Sequence, residues 1–168
     1  SKSPAMMNQE KLLWLNQHYL QQRPLEEVVA LVQEVIGEQE DLDKIVQVQQ
    51  GRCTTIQEIV DQSQYFFEDP IMDPAAQEQH LTKTALEPLQ ALYQRLEALE
   101  TWEQTNLKSE LKAVVKSLGV KFPQVAMPLR VAITGGTQSP SVDITLELVG
   151  KQKVLDRLQH ALSLVQKA

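Results

Sequence analysis

The sequence predicts an all-α protein built from two packed helical subdomains, and three observations lead to this prediction. Apolar residues recur every three or four positions along most of the chain. Prolines and glycines stand where these stretches begin and end. A short apolar run at Val131–Ile133 could form a strand, but it has no second strand to pair with. We place the subdomain boundary at about residue 72, in a stretch with two Asp-Pro steps, which gives subdomains of residues 1–72 and 73–168.

Four helices are predicted in the first subdomain. The first follows Asn8, a residue that can cap a helix, and the second begins after Pro24 and ends before Gly37. The third stops near Gly51, and the fourth carries Ile56, Ile59, Val60 and Phe67 on one side. The predicted ranges are residues 8–21, 24–36, 41–49 and 55–67.

The second subdomain begins with a long helical stretch over residues 75–100, in which Pro88 starts a new helix or kinks the old one. Thr101 and Gln104 fit a capping box for a helix that ends at Gly119. Three more helices follow. The first is short, covers residues 129–133, is opened by Pro128 and ends at Gly135 and Gly136. The second covers residues 141–149, with Ser139 as cap and Pro140 in its first turn, and the last contains Val154, Leu155, Leu158 and Leu162.

The composition narrows the class of protein. The chain has 168 residues, of which 42% are hydrophobic and 23% charged, so it can bury one ordinary core or two small ones. One cysteine excludes an internal disulfide, and three dispersed histidines argue against a zinc site. Because no apolar run approaches the roughly 18 residues of a membrane span, we expect a cytoplasmic protein without a membrane partner. We also expect a monomer. The opening Ser-Lys-Ser-Pro suggests a fragment of a larger protein.

Charge is unevenly distributed along the chain. The net charge is −6, yet the part from Lys108 to the end has nine basic and four acidic residues, a balance of +5, and the remainder carries −11. An acidic body with a basic C-terminal third suits an oriented polyanion better than indiscriminate binding to nucleic acid. The sequence therefore points to an RNA-recognising module.

Several kinds of catalytic or nucleotide site are excluded by spacing. Gly135 and Gly136 are not followed by the Gly-Lys-Ser/Thr of a phosphate-binding loop, and Ser139 does not lie in a nucleophile elbow. The same glycines, the helix start beyond them and Arg130 instead form a candidate recognition surface, because glycine admits a close backbone approach and an arginine fork pairs with base edges. The structural alternative, two ordinary helix ends, fits this pattern equally well.

Two motifs in the correct order carry a family resemblance. They are Lys11-Leu12-Leu13-Trp14-Leu15-Asn16-Gln17-His18-Tyr19 and Met127-Pro128-Leu129-Arg130-Val131-Ala132-Ile133-Thr134-Gly135, the second followed by Ser139-Pro140. Similar stretches occur at Arg52–Ile56, Tyr65–Phe67 and Leu146–Lys151. Over essentially its whole length, the chain resembles the bacterial glutamyl-tRNA synthetases.

The resemblance implies the C-terminal anticodon-binding region of a class I aminoacyl-tRNA synthetase. The parent enzyme would join glutamate to tRNA(Glu) with ATP and magnesium, both bound by a catalytic domain that is absent from this fragment. The fragment would contain no catalytic residue, metal or cofactor and would not aminoacylate alone. Its partners would be the anticodon loop of tRNA(Glu) and its own catalytic domain.

The resemblance also assigns roles to single residues. Arg130 looks like the arginine that contacts the first anticodon base, and Ser139, Pro140 and Val142 fall where a loop and a helix start surround the bases, beyond Gly135 and Gly136. Arg52 looks like the arginine that senses the third base. A cytosine there presents acceptors to a guanidinium whereas guanine at the same edge presents donors, so Arg52 favours a discriminating enzyme.

The sequence departs from the family pattern at two positions. Ser141 replaces the usual glycine after Ser-Pro, and Gly136 stands where an arginine is common. The phosphate interaction that an arginine would make at this second position could be supplied by Lys151 and Lys153 instead. These two lysines fit a solvated helix face equally well.

Packing roles and two other functions stay open as alternatives. Trp14 and Trp102 are interpreted as packing residues, and Cys53 as an unreactive one. The alternative functions are a helical protein-interaction adaptor, suggested by the acidic N-terminal body, and the anticodon domain of a non-discriminating enzyme that also charges tRNA(Gln).

Overall fold

The computed structural model describes residues 20–168. Every regular element within them is a helix, which confirms the predicted all-α fold. In this part of the chain no helix is both long and apolar enough to cross a membrane. Contacts divide the described residues after Phe67 into two compact units.

The first unit packs its helices around a small apolar core. Val28, Val32, Val46 and Ile59 are buried at its centre, and α1 packs against both α2 and α3. The predicted helix over residues 8–21 lies outside the described residues, except for positions 20 and 21, which are helical. The helices are α1 (Leu25–Ile36), α2 (Leu42–Gln50), α3 (Ile56–Gln62) and α4 (Gln64–Phe67).

The prediction of one helix over residues 55–67 is wrong, because the helix breaks at Ser63. The fully buried Gln49 donates from Nε2 to the carbonyl of Gln62 (2.9 Å) and to Ser63 Oγ (3.3 Å). A side chain from α2 therefore takes the carbonyl that terminates α3. Apolar spacing on one helix does not reveal such a competing donor.

The second unit contains the larger core. α10 packs against α6 and α8, and α9 packs against α7. Leu89, Leu92, Leu107, Leu129 and Leu158 are fully buried between them. The helices are α5 (Pro74–His80), α6 (Leu86–Ala98), α7 (Gln104–Leu118), α8 (Phe122–Thr134), α9 (Val142–Val149) and α10 (Lys151–Lys167), with a 3₁₀ turn at Lys83–Ala85.

The long helical stretch over residues 75–100 is interrupted earlier than predicted. α5 ends at His80, and the 3₁₀ turn separates it from α6. Pro88 lies in the first turn of α6 and therefore starts a new helix. A proline fits there because the N–H groups of a first helical turn have no partner within the helix.

The predicted capping box of Thr101 and Gln104 is wrong. α7 begins at Gln104, and its first backbone N–H donates to Glu147 Oε1 on α9 (2.8 Å). The Gln104 side chain donates to Asp143 Oδ2 (3.1 Å). A carboxylate from a distant helix thus satisfies the N-terminus of α7, and negative charge is favourable at this end of a helix.

The short helix over residues 129–133 is also wrong, because α8 starts at Phe122 and continues through Pro128. The Lys121 N–H donates to Gln124 Oε1 (2.8 Å) and holds the helix start. Pro128 removes one helical hydrogen bond. Val125, Leu129, Ile133 and their neighbours are buried on both sides of it, so packing maintains the helix.

Residues 68–73, which we call the linker, belong by their contacts to the second unit. Glu68 O accepts from Arg157 Nη2 (2.9 Å), and the Asp73 N–H donates to Gly135 O (2.8 Å). The contact division thus falls after Phe67, before the two Asp-Pro steps. A subdomain boundary at residue 72 stays a prediction.

Candidate nucleic-acid interface

The end of α8 and the loop after it enclose an open cleft beside Arg130. The half-buried Arg130 donates from Nε to Ser139 Oγ (2.8 Å) and from Nη1 to Met127 Sδ (3.1 Å). These contacts fix the guanidinium at the wall of the cleft, whose volume is ≈ 560 Å³. We call it the Arg130 cleft, and its lining residues are Gln79, His80, Met127, Arg130, Thr137, Gln138 and Ser139.

Thr134 connects Arg130 to the glycine turn. Its hydroxyl donates to the Arg130 carbonyl (2.8 Å) and accepts from the Gly136 N–H (3.2 Å). A Cβ added at Gly136 would meet nothing within 4 Å, so this position faces open space. Thr134 was not among the predicted site residues, although its position one helical turn after Arg130 could have suggested the link.

Gly135 has a structural requirement that the sequence did not reveal. Its φ is +83°, a left-handed conformation that ends α8. A Cβ there would overlap the Ile71 carbonyl oxygen and lie 2.8 Å from the Ile71 carbonyl carbon. The sequence suggested that glycine here allows a ligand to approach the backbone closely. At Gly135 it is the Ile71 carbonyl of the chain itself that makes this approach.

A buried arginine supports the same turn. Arg157 on α10 is 7% exposed and donates from Nη1 to the Ile133 carbonyl, near the end of α8 (2.9 Å), and from Nη2 to the Glu68 carbonyl (2.9 Å). Burial lowers the pKa of this guanidinium, while the charge of Asp69 opposes the shift. Arg157 joins the linker to the end of α8, and nothing in its local sequence predicted this role.

Ser139 and Pro140 do not start α9 as predicted. The helix begins at Val142 with Ser141 as its N-cap residue. Ser139 Oγ donates instead to the Pro140 carbonyl (2.6 Å) while accepting from Arg130, so it fixes the loop rather than the helix. Pro140 is buried and Val142 is 5% exposed, so neither side chain presents much surface to a ligand.

An acidic residue follows immediately in the first turn of α9. Burial acts to raise the pKa of Asp143, but hydrogen bonds from the side chains of Ser141 and Gln104 and from backbone amides outweigh it and lower the pKa. Asp143 is therefore ionised at neutral pH. Asp143 is only 8% exposed, and protein donors bond to its carboxylate. Both features limit its electrostatic repulsion of a polyanion.

Arg52 lies in the first unit, in the turn after α2. Its side chain is exposed, and Nη1 donates to Gln49 Oε1 (2.8 Å). Because Gln49 is itself buried and bonded to α3, the guanidinium is oriented by a fixed partner while it faces solvent. The residue just before this turn is also anchored, since Gln50 Nε2 donates to the Leu20 and Arg23 carbonyls (2.6 and 3.0 Å).

The residues interpreted as packing or unreactive behave accordingly where they are described. Burial raises the pKa of the Cys53 thiol to about 11, with the charge of Glu58 adding to the effect and Arg52 opposing it, so the reactive thiolate is scarce at neutral pH. Trp102 is half-buried and donates from Nε1 to the Leu146 carbonyl (2.9 Å). Trp14 lies outside the described residues.

The two lysines proposed as phosphate contacts differ in their surroundings. Lys151 Nζ donates to the Leu99 carbonyl just beyond α6 (2.7 Å), so its ammonium group is partly occupied by protein. Lys153 is exposed on α10. Phosphate binding by the two lysines stays a prediction.

The structure thus brings together five of the predicted residues around one loop: Arg130 and Ser139 bond directly, Pro140 follows, and Gly135 and Gly136 form the turn. Sequence reasoning missed Gln79 and His80, which line the same cleft from α5. Their distance of about 50 residues along the chain from Arg130 left no local signal for this proximity. Among residues 20–168, no group of three or more His, Cys, Asp or Glu side chains could hold a metal ion.

The chain has relatives among glutamate–tRNA ligases over almost all of its length. It is 40% identical over 166 residues to a glutamate–tRNA ligase from Nitrosomonas europaea and 39% identical over 170 residues to one from Nitrosomonas eutropha. These alignments cover 95% and 96% of this chain but 36% of each relative, so the chain spans about a third of their length.

Two solved structures share the fold. One is a crystal structure of a glutamate tRNA ligase from Elizabethkingia meningosepticum, with a TM-score of 0.86 and 24% identity over 94% of this chain and 33% of that one. The other, a glutamate-tRNA synthetase from Elizabethkingia anophelis, has a TM-score of 0.80 at the same identity and covers 94% of this chain and 32% of that one. The model of the anticodon binding domain family matches residues 17–162, and the chain therefore belongs to that family.

Proposed function

We propose that this chain recognises the anticodon loop of tRNA(Glu) as part of a glutamate–tRNA ligase. The observation that supports this most strongly is the fixed guanidinium of Arg130, bonded to Ser139 at an open cleft in a chain of the anticodon binding domain family. Arginine held in one orientation can form two parallel hydrogen bonds with the acceptors of a base edge. The first anticodon base is the proposed partner.

The electrostatic surroundings of the cleft also favour RNA. Arg130 supplies a positive charge, and among the described residues that line the cleft there is no carboxylate. The C-terminal part of the chain from Lys108 has a balance of +5. Lys151 and Lys153 would add phosphate contacts, which orient the RNA but carry no sequence information.

Arg52 would recognise the third anticodon base. Its exposed guanidinium is oriented by the buried Gln49. The side chain is therefore already partly ordered in the free protein, which lowers the entropy lost on binding RNA. On its pairing edge cytosine offers the acceptors O2 and N3 to this group, whereas guanine offers the donors N1–H and N2–H there and would leave the charge poorly paired. This supports a discriminating enzyme that prefers tRNA(Glu) to tRNA(Gln).

Catalysis would belong to another part of the ligase. Joining glutamate to tRNA with ATP and magnesium requires the catalytic domain that the resemblance implies, and this chain would select the tRNA through positioning alone. The ligase would act in the cytoplasm. In this proposal the chain binds tRNA without aminoacylating it.

We expect Arg130→Ala to weaken binding of the tRNA(Glu) anticodon stem-loop by roughly tenfold or more, since a base contact of this type contributes about 1–3 kcal/mol. Arg130→Lys should recover only part of the loss, because lysine keeps the charge but not the fork. Fluorescence titration of the labelled stem-loop at several salt concentrations measures this.

The matched control is Lys112→Ala, which removes one exposed positive charge from α7, a helix that contributes no lining residue to the Arg130 cleft. It should weaken binding little. If the unaltered chain shows no saturable, salt-sensitive binding at submillimolar RNA, the proposed function is wrong. If Arg130→Ala and Lys112→Ala lose the same amount of RNA affinity, Arg130 contributes only its positive charge and makes no specific contact with a base.

We expect Arg52→Gln to narrow the preference between two stem-loops that differ only in cytosine or guanine at the third anticodon position. A glutamine amide both donates and accepts, so it can pair with either base. The ratio of the two dissociation constants should fall by roughly tenfold. Arg52→Lys serves as the control that keeps the charge, and an unchanged ratio in Arg52→Gln would remove Arg52 from the discriminating role. Equal binding of both stem-loops by the unaltered chain would support a non-discriminating enzyme.

A further inference from the structure

The Arg130 cleft has a second wall that neither the sequence nor the family resemblance assigned to RNA. Gln79 and His80, the last two residues of α5, line it together with the loop residues Thr137–Ser139. Gln79 is exposed and His80 is half-buried, so both side chains can meet a ligand. The cleft is therefore built from α5, α8 and the loop, three separate parts of the second unit.

The chemistry of the two walls suits a nucleobase. Gln79 and Gln138 carry amides that both donate and accept, which is what the mixed edge of a base requires. The Met127 thioether and the His80 imidazole offer polarizable, partly apolar surfaces on which a flat ring can pack. A site for a phosphate alone would need donors and positive charge, and it would have no use for amide acceptors or a thioether.

We propose that Gln79 and His80 determine which unstacked nucleobase is held against Arg130, so that the cleft binds one base of single-stranded RNA between α5 and the loop. This rests on the proposed function, because the base is that of a bound anticodon loop. His80 and Met127 pack on the base, while Gln79 and Gln138 meet its edge. Arg130 then selects between bases together with α5, not alone.

The test compares two RNAs with one set of proteins. The RNAs are the tRNA(Glu) anticodon stem-loop and the same stem-loop with an abasic nucleotide at the first anticodon position. The unaltered 168-residue chain should bind the complete RNA roughly tenfold more tightly, since a stacked base contributes about that much. The double variant Gln79→Ala/His80→Asn should reduce this ratio several-fold, because only the Arg130 contact with the base remains, and it should leave the affinity for the abasic RNA nearly unchanged.

A matched double variant controls for the loss of one histidine and one glutamine. His160→Asn/Gln166→Ala changes the same residue types at exposed positions on α10, which contributes no lining residue to the cleft. It should retain the full difference between the two RNAs. Thermal unfolding of both double variants checks that the fold is intact, and the ratio of affinities for the two RNAs is insensitive to a uniform loss of folded protein.

Each remaining outcome is decisive. If the Gln79→Ala/His80→Asn variant keeps both affinities, and with them the tenfold ratio, α5 does not contact the RNA and the inference is overturned while anticodon binding stands. If it weakens both RNAs equally and keeps their ratio, α5 contacts only phosphate and the inference is likewise overturned. If the unaltered chain binds neither RNA, the proposed function fails and the inference fails with it.

Discussion

Gly135→Ala is expected to lower the free energy of unfolding of the second unit by about 3 kcal/mol. An L residue in the left-handed conformation costs about 1–2 kcal/mol, and the φ of Gly135 is +83°. The new Cβ would also overlap the Ile71 carbonyl, which is backbone and cannot rotate away. Moving it would break the bond between the Asp73 N–H and Gly135 O, a further loss of about 1 kcal/mol.

Two other glycines separate these contributions. Gly119 also has a positive φ, +65°, but a Cβ there would meet nothing within 4 Å, so Gly119→Ala should cost only the conformational part. Gly136→Ala should be nearly neutral, because its position is open and its φ is not in the left-handed region. Urea unfolding followed by circular dichroism gives the three values.

The order of these values decides the role of Gly135. If Gly135→Ala costs no more than Gly119→Ala, the linker at Ile71–Asp73 adapts freely and does not constrain the turn. If it costs more, Gly135 is required by the protein itself. Loss of RNA binding on changing Gly135 would then report a displaced loop, and direct base contact would have to be tested at Gly136.

The helices with strong apolar periodicity could be predicted because their end signals are local. Gly37 and Gly119 both adopt positive φ directly after α1 and α7, where the sequence placed the helix ends. The errors at α3, α7 and α8 share a different cause. Gln49 ends α3 and Glu147 caps α7 from elsewhere in the chain, and buried neighbours carry α8 through Pro128. None of these partners is visible in a local pattern.

The residues of the candidate site likewise include some with local sequence signals and some without. Arg130 and Ser139 are nine residues apart, and their link could be anticipated from a helix end followed by a short loop. Gln79 and His80 reach the cleft only through the packing of α5 against α8, and Arg157 reaches Ile133 across 24 residues. Residues that hold or complete a site from other elements have no sequence signature of their own, because their role arises from tertiary contacts.

Arg157→Met is expected to destabilise the second unit by about 3 kcal/mol, although methionine fills much of the same space. Each hydrogen bond from a charged donor contributes about 1.5–3 kcal/mol, and Arg157 makes two, to the Ile133 and Glu68 carbonyls. The Glu68 carbonyl belongs to an exposed residue and can bind water instead. The Ile133 carbonyl is in the buried end of α8, so most of the loss should arise there.

Arg95→Met provides the matched control, since it removes the same group from a surface ion pair with Glu110. The Arg95 side chain is 45% exposed, and a pair of this kind contributes about 0–1 kcal/mol. Arg157→Lys tests geometry, because one ammonium group cannot reproduce the two-pronged contact. In chemical denaturation, the loss in free energy of unfolding should be largest for Arg157→Met and smallest for Arg95→Met.

Hydrogen exchange distinguishes a general loss of stability from a local one. If Arg157 ties the linker to the turn, the Asp73 amide, bonded to Gly135 O, should exchange faster in Arg157→Met under native conditions than amides in the middle of α7. Equal acceleration at both places would mean that Arg157 stabilises the whole unit and no particular loop. Faster exchange confined to Asp73 would make Arg157 a positioning residue for the turn beside the Arg130 cleft, because the turn and the linker would then be released together.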